Sequence, residues 1–215
     1  MIILVGKNFR DNIRTYNNVL SFCSVGVKID ESVWGQKGIY TFHIKGTLCH
    51  RIGSLLPVEG EEPKFAQIYI MDSDMNQQIQ QRLQYGHGHL DEHILEDLLT
   101  MMHKKNPYYS IFKVAKERIS ENVNLCLNLT TFDAKKQDPR RYNLPTASEV
   151  GVIISKDISE INAARDLIIE HRTGELQRIS ELHSGYLPLR FPLLFPYGEP
   201  GWHPTIPFSE THSSE

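Results

Sequence analysis

Arg178-Ile-Ser-Glu-Leu-His-Ser-Gly-Tyr-Leu-Pro-Leu-Arg-Phe-Pro-Leu-Leu-Phe-Pro-Tyr-Gly-Glu-Pro-Gly-Trp-His203 constrains the chain more than any other segment. Its prolines Pro188, Pro192, Pro196 and Pro200 recur every four residues, with Leu, Phe and Tyr between them. Proline lacks an N–H and fixes φ, so neither a regular helix nor a central strand is expected to run through it. The pattern predicts an extended strap whose apolar residues Leu187, Leu189, Phe191, Leu194 and Phe195 lie over something hydrophobic. Ahead of it, Arg178, Glu181 and His183 read as buried ion pairs that lock the strap in place.

Working back from the strap, hydrophobic periodicity gives a mixed chain. Residues 8–22 carry Phe9, Ile13, Tyr16 and Leu20 at helical spacing. Residues 39–51 alternate as a strand, with Gly46 at a bend or bulge. Residues 65–71 form a short β-rich run ended by Asp72. Residues 74–84, 91–103 and 108–119 read as helices. Asp91 and Glu92 at the start of the second, and His103, Lys104 and Lys105 at its end, suit the helix dipole. Asn106-Pro107 favours a fresh helix start. Residues 123–132 and 150–155 read as strands. Residues 165–171 and 175–179 read as a hairpin turning at Arg172-Thr173-Gly174. The fold class is therefore α+β: mixed helices with short antiparallel strands and hairpins, closed by a proline-rich extended C-terminal strap. Residues 8–204 are expected to form one interlocked unit with a possible linker at 137–145. Residues 1–7 remain unassigned, and 205–215 read as a disordered tail.

Composition bounds the function. With 40% hydrophobic and 23% charged residues over 215 positions, the chain is long enough to bury a real core. Cys23, Cys49 and Cys126 stand far apart without a C-x-x-C pair, which fits a reduced intracellular protein, nuclear or cytoplasmic and not secreted. The apolar residues 1–5 are too few for a signal-peptide core, and no window approaches a membrane span.

The net charge of −3 gives no global pull toward nucleic acid, but its distribution is uneven. Residues 57–99 are strongly acidic. Residues 101–141 reverse the balance: Lys104, Lys105, Lys113, Lys116, Arg118, Lys135, Lys136, Arg140 and Arg141 face Glu117, Glu121, Asp133 and Asp138. Such an excess can line a phosphate track, or simply form a solvated helix face followed by a polar loop. Within it, Arg140, Arg141 and Tyr142 lie between prolines, where two guanidiniums and one ring can hold a phosphate backbone and stack a base. Lys113, Lys116 and Arg118 are the further candidates for DNA contact.

His87, His89 and His93 are the densest group of metal-ligand residue types. Gly86 and Gly88 break both regular structures there, so a loop between helices is expected and no metal is assigned to it. The chain also lacks G-x-x-x-x-G-K-[ST] and G-x-S-x-G. No complete active site is legible.

Several blocks in fixed order carry a resemblance. Phe9-Arg-Asp-Asn-Ile-Arg-Thr-Tyr-Asn17, Gly46 with His50-Arg-Ile-Gly-Ser-Leu-Leu-Pro57, and Lys64-Phe-Ala-Gln-Ile-Tyr-Ile70 come first. Asn106-Pro-Tyr108, Leu144-Pro-Thr-Ala-Ser-Glu-Val150 and the terminal strap follow. Together they resemble the region of Helitron helicase-like proteins, the rolling-circle transposases, that precedes the nuclease domain. The match runs from about residue 8 to 204. In that family a replication-initiator nuclease follows, with a metal-binding His pair and catalytic tyrosines, and then an ATP-dependent helicase. Those enzymes nick one DNA strand, form a tyrosyl-DNA bond and unwind the duplex.

This chain departs from that plan by omission. It has no His-hydrophobic-His and no assignable nucleophile; Tyr142, Tyr186 and Tyr197 precede the family's catalytic region. The resemblance therefore implies a non-catalytic region that positions or binds single-stranded DNA for a nuclease and helicase. ATP and the divalent metal ion belong to those domains, and no cofactor is expected in this chain. The alternatives are a protein–protein scaffold and a freestanding metal-dependent nuclease, which metal analysis with a nicking assay separates. The poorly matching ends suggest a truncated or partly decayed element copy, an expectation that an intact nuclease reading frame downstream would remove. Without its partner surface, residues 188–202 are expected to be partly exposed, mobile or prone to association.

Overall fold

A computed structural model describes residues 2–29, 44–71, 74–119, 125–129, 152–155, 167–170, 176–204 and 206. The architecture is α+β. Helix α1 (Ile2–Leu20) leads into strands β1 (Ser24–Ile29) and β2 (Ile44–Ile52). Four helices follow: α2 (Ala66–Met71), α3 (Met75–Tyr85), α4 (Glu92–Lys105) and α5 (Pro107–Ile119). Strands β3 (Leu125–Leu129), β4 (Val152–Ser155), β5 (Leu167–Glu170) and β6 (Gln177–Ile179) precede a last short helix, α6 (Tyr186–Arg190). The strands form two antiparallel three-stranded sheets, ordered β1-β2-β6 and β4-β3-β5.

Local chemistry explains the helices at 75–119. Asp74 caps α3, its Oδ1 accepting from Asn76 N–H at 3.1 Å. Asp91 caps α4 through the N–H groups of His93 and Ile94, at 3.0 and 3.2 Å. Asn106 serves two helices. Its N–H donates to Met102 O and closes α4, while its Oδ1 accepts from Tyr108 N–H and opens α5. Pro107 sits at the first helical position, where a missing N–H costs nothing.

Phe22 marks the centre of the core. It is fully buried, with ring centroids 5.0 Å from Tyr69, 5.8 Å from Tyr108 and 5.4 Å from Phe112. Around it, apolar residues of α1, α2, α3, α4, α5, α6 and both sheets pack as one continuous cluster. Helix α1 contributes Tyr16, Val19 and Leu20, whereas Ile13, at the edge of the expected stripe, stays exposed.

Three expectations need correction. Residues 66–71 are helical, not a strand. Ala66, Ile68, Tyr69 and Ile70 are buried, so the segment has no polar face to reveal its period, and a short apolar run alone cannot separate helix from strand. The turn is set by Lys64 N–H donating to Gln67 Oε1 at 3.1 Å and by Phe65 at φ 53°. Nor do β5 and β6 pair as a hairpin. Leu167 and Ile169 of β5 are buried beside β3, while β6 places Ile179 opposite His50 of β2. Each strand finds the apolar face that complements it in a different sheet.

The strap is not extended. Pro188 is the third residue of α6, where its N–H would have no intrahelical acceptor, so the proline is compatible with a short helix. Beyond α6 the chain coils through turns, with Phe195 N–H donating to Phe191 O and Gly198 N–H to Phe195 O. It then folds back on its own start, Gly201 N–H donating to Ser184 O at 2.8 Å. The expected bulge in β2 is present: three residues, Gly46 to Leu48, stand opposite one residue of β1. The expected linker at 137–145 and nearly all of the tail at 205–215 lie outside the described residues.

Candidate functional site

The resembling blocks meet at the strap. Arg190 is buried, its Nη1 donating to Ser21 Oγ at 2.9 Å and its Nη2 to Asn18 Oδ1 at 2.6 Å. Asn17 clamps the same turn from both sides of its amide, Nδ2 donating to Arg190 O and Oδ1 accepting from Leu193 N–H. Phe22 N–H donates to Leu189 O at 2.8 Å. From β2, His50 Nδ1 donates to Tyr186 O at 2.9 Å, and the two rings stack with centroids 3.9 Å apart. From α5, Pro107 lies under Gly198, and Asn106 Nδ2 donates to Phe195 O at 3.4 Å. Burial holds the His50 imidazole below its usual pKa, with Arg190 adding to the effect against the opposing hydrogen bond to Tyr186.

His183 has a defined tautomer. Its Nδ1 accepts from Gly185 N–H at 2.9 Å, so the proton sits on Nε2, which donates to Leu129 O at 3.1 Å. The imidazole thereby links the strap to the β4-β3-β5 sheet. Arg178 and Glu181 are not part of that lock. They pair with each other at 3.1 Å on the surface, with side chains 51% and 62% exposed, rather than in a buried ion pair.

The candidate DNA contacts separate. Lys113 and Arg118 are exposed on α5. Lys116 donates from Nζ to Met71 O at 2.9 Å and so satisfies a carbonyl at the end of α2. Arg140, Arg141 and Tyr142 lie outside the described residues. His87 and His89 are exposed in the loop between α3 and α4, with His87 at φ 52° and Gly88 at φ 77°. His93 is exposed on the first turn of α4. Among the described residues no group of three or more His, Cys, Asp or Glu side chains converges on a metal-sized space.

Two cavities that sequence reading missed lie on either side of Lys64 and Phe65. One, of about 320 Å³, is lined by Arg51, Gly53, Glu61, Lys64 and Phe65 among others. The other, of about 360 Å³, is mainly apolar and is lined by Val19, Lys64, Phe65, Ile68 and Tyr85 with Asn18. The Arg51 side chain crosses Gly26, where an added Cβ would sit 2.6 Å from Arg51 Nε and 2.8 Å from Cys49 Sγ. No sequence motif joins residues 51, 64 and 85, because only the fold brings them together.

Tyrosine chemistry is pushed away from nucleophilicity across the core. Burial raises the phenol pKa of Tyr16, Tyr69 and Tyr108 above the ordinary value, and the Cys23 thiol is pushed up to about 12 by the same cause. No helix among the described residues is long and apolar enough to cross a membrane. Compared with protein-family models, curated proteins and solved structures, the chain finds no match.

Proposed function

We propose that this chain is a non-catalytic module of a Helitron-like transposase, acting in the nucleus or cytoplasm. In this reading it positions and binds single-stranded DNA for the nuclease and helicase domains of such proteins. The observation that carries it is the convergence at the strap. Asn17, His50 and Asn106, from three of the resembling blocks, donate to the strap carbonyls of Arg190, Tyr186 and Phe195, and Arg190 of the strap donates back to Ser21 and Asn18. Signature residues used this way hold a shape. Lys113 and Arg118 stay exposed, as a phosphate contact requires.

The test is salt-dependent binding of a labelled single strand. Binding is expected at low salt, with Arg140→Ala plus Arg141→Ala, or Lys113→Ala plus Arg118→Ala, weakening it. Each lost phosphate contact should flatten the log–log salt slope by about 0.7. No binding by the parent chain at low salt would remove this reading and favour a scaffold that contacts only protein. Leu194 and Trp202, 72% and 58% exposed on the strap, are the observation that supports that second reading.

A further inference from the structure

We propose that the paired cavities around Phe65 take one nucleotide of a single strand, its phosphate against Arg51 and Lys64 and its base against Phe65, Ile68 and Tyr85. The inference rests on the single-strand reading above and gives it a location away from the basic helix α5.

Three observations carry it. The first is electrostatic. Arg51 and Arg178 are direct cross-strand partners, and like charges so placed oppose each other. Glu181 neutralises Arg178 at 3.1 Å, whereas Arg51 has no carboxylate partner among the described residues. Lys64, across the same cavity, meets only Glu61, at 4.0 Å and largely in solvent, where such a pair is weak. Two cations thus line one cavity against the single carboxylate of Glu61, an excess of positive charge that suits a phosphate.

The second observation is shape. The cavities share Lys64 and Phe65; both are mainly apolar, and the first also carries the charged side chains of Arg51 and Glu61 in its lining. A nucleotide has the same division between charged and flat apolar parts. Phe65 and Tyr85 supply aromatic surface of the kind that stacks bases without regard to sequence. The third observation is backbone strain. Phe65 holds φ 53°, a conformation rare for a bulky residue, and this places it at the wall common to both cavities. A strained aromatic between a cationic and an apolar hollow is the arrangement a stacking platform needs.

Glu61 is the internal competitor, and it gives the proposal a sign. A bound phosphate must displace Glu61 from Lys64, so Glu61→Gln should tighten binding of a labelled oligothymidylate. Arg51→Gln with Lys64→Gln should weaken it about tenfold. Phe65→Gly should also weaken it about tenfold, while relief of the strained φ offsets part of the lost ring burial and keeps unfolding cooperative. Thymidine monophosphate should compete with the oligonucleotide, and inorganic phosphate far less.

The outcomes divide cleanly. Parent-like oligonucleotide binding by cooperatively folded Phe65→Gly and by the Arg51/Lys64 double variant overturns the cavity assignment and leaves the single-strand reading standing. Equal competition by inorganic phosphate and thymidine monophosphate overturns the base-stacking half. Failure of the parent chain to bind any strand at low salt overturns both readings together.

Discussion

Two side-chain-level features set the tolerance of the fold. Gly198 holds φ 66°, and a Cβ added there would sit 2.6 Å from Pro107 Cγ. Either effect alone strains a substitution, and here they coincide. Gly198→Ala is expected to lose about 2 kcal/mol or more, read as a lower urea midpoint at unchanged m. His103 stacks on Tyr109 with centroids 3.8 Å apart, and its pKa is pushed down to about 4, first by burial and then by the charges of Arg82 and Lys113. The unfolded chain therefore binds this proton more readily than the folded one. Its contribution is fully present above pH 6.5 and is lost as pH falls toward 4. After allowance for partial exposure the effect is on the order of 1 kcal/mol. His103→Gln should flatten the dependence of the thermal midpoint on pH within that window; an unchanged slope would show that other groups carry it.

At the level of elements, α6 depends on one side chain from within its own turn. Arg190 joins it to α1 through Asn18 and Ser21, so Arg190→Ala is expected to cost about 2–3 kcal/mol in denaturant unfolding. Arg190→Lys should not restore the loss, because an ammonium cannot reach both acceptors with the guanidinium's fork. The same elements show what sequence could carry. Helices α3, α4 and α5 were legible because Asp74, Asp91, Asn106 and Pro107 state their boundaries locally. Helix α2 was not, since a segment buried on nearly every side shows no periodicity. The pairing of β6 with β2 was hidden because partner choice is settled by faces more than a hundred residues apart, such as His50 and Ile179. The candidate site was legible only as residue types. Lys116 reads in sequence only as a candidate phosphate ligand, and the fold adds its hydrogen bond to Met71 O.

Over the whole molecule, polar surface and apolar strap divide the outside between two kinds of contact. Exposed Lys113 and Arg118 lie on α5, while Leu194 and Trp202 stand out from the strap although Pro188, Leu189, Arg190 and Pro192 beside them are buried. The expectation of a partly exposed strap is met by those two residues. Concentration-dependent self-association is expected in sedimentation, and Leu194→Ser with Trp202→Ser should reduce it without lowering the thermal midpoint. Association unchanged in the double variant would place the sticky surface elsewhere.

The contacts between α1 and α6 also set an order of events during synthesis. Asn17 and the Arg190 carbonyl it binds are 173 residues apart in sequence. While the ribosome works through the intervening chain, Asn17 and Asn18 at the end of α1, and Ser21 just beyond it, have no partner from α6. Long-range closure of this kind slows folding, because the loop must be ordered before its contacts form. Helix α1 is therefore made before the turn that clamps it, and Asn17 can be seated only once Arg190 and Leu193 have been added.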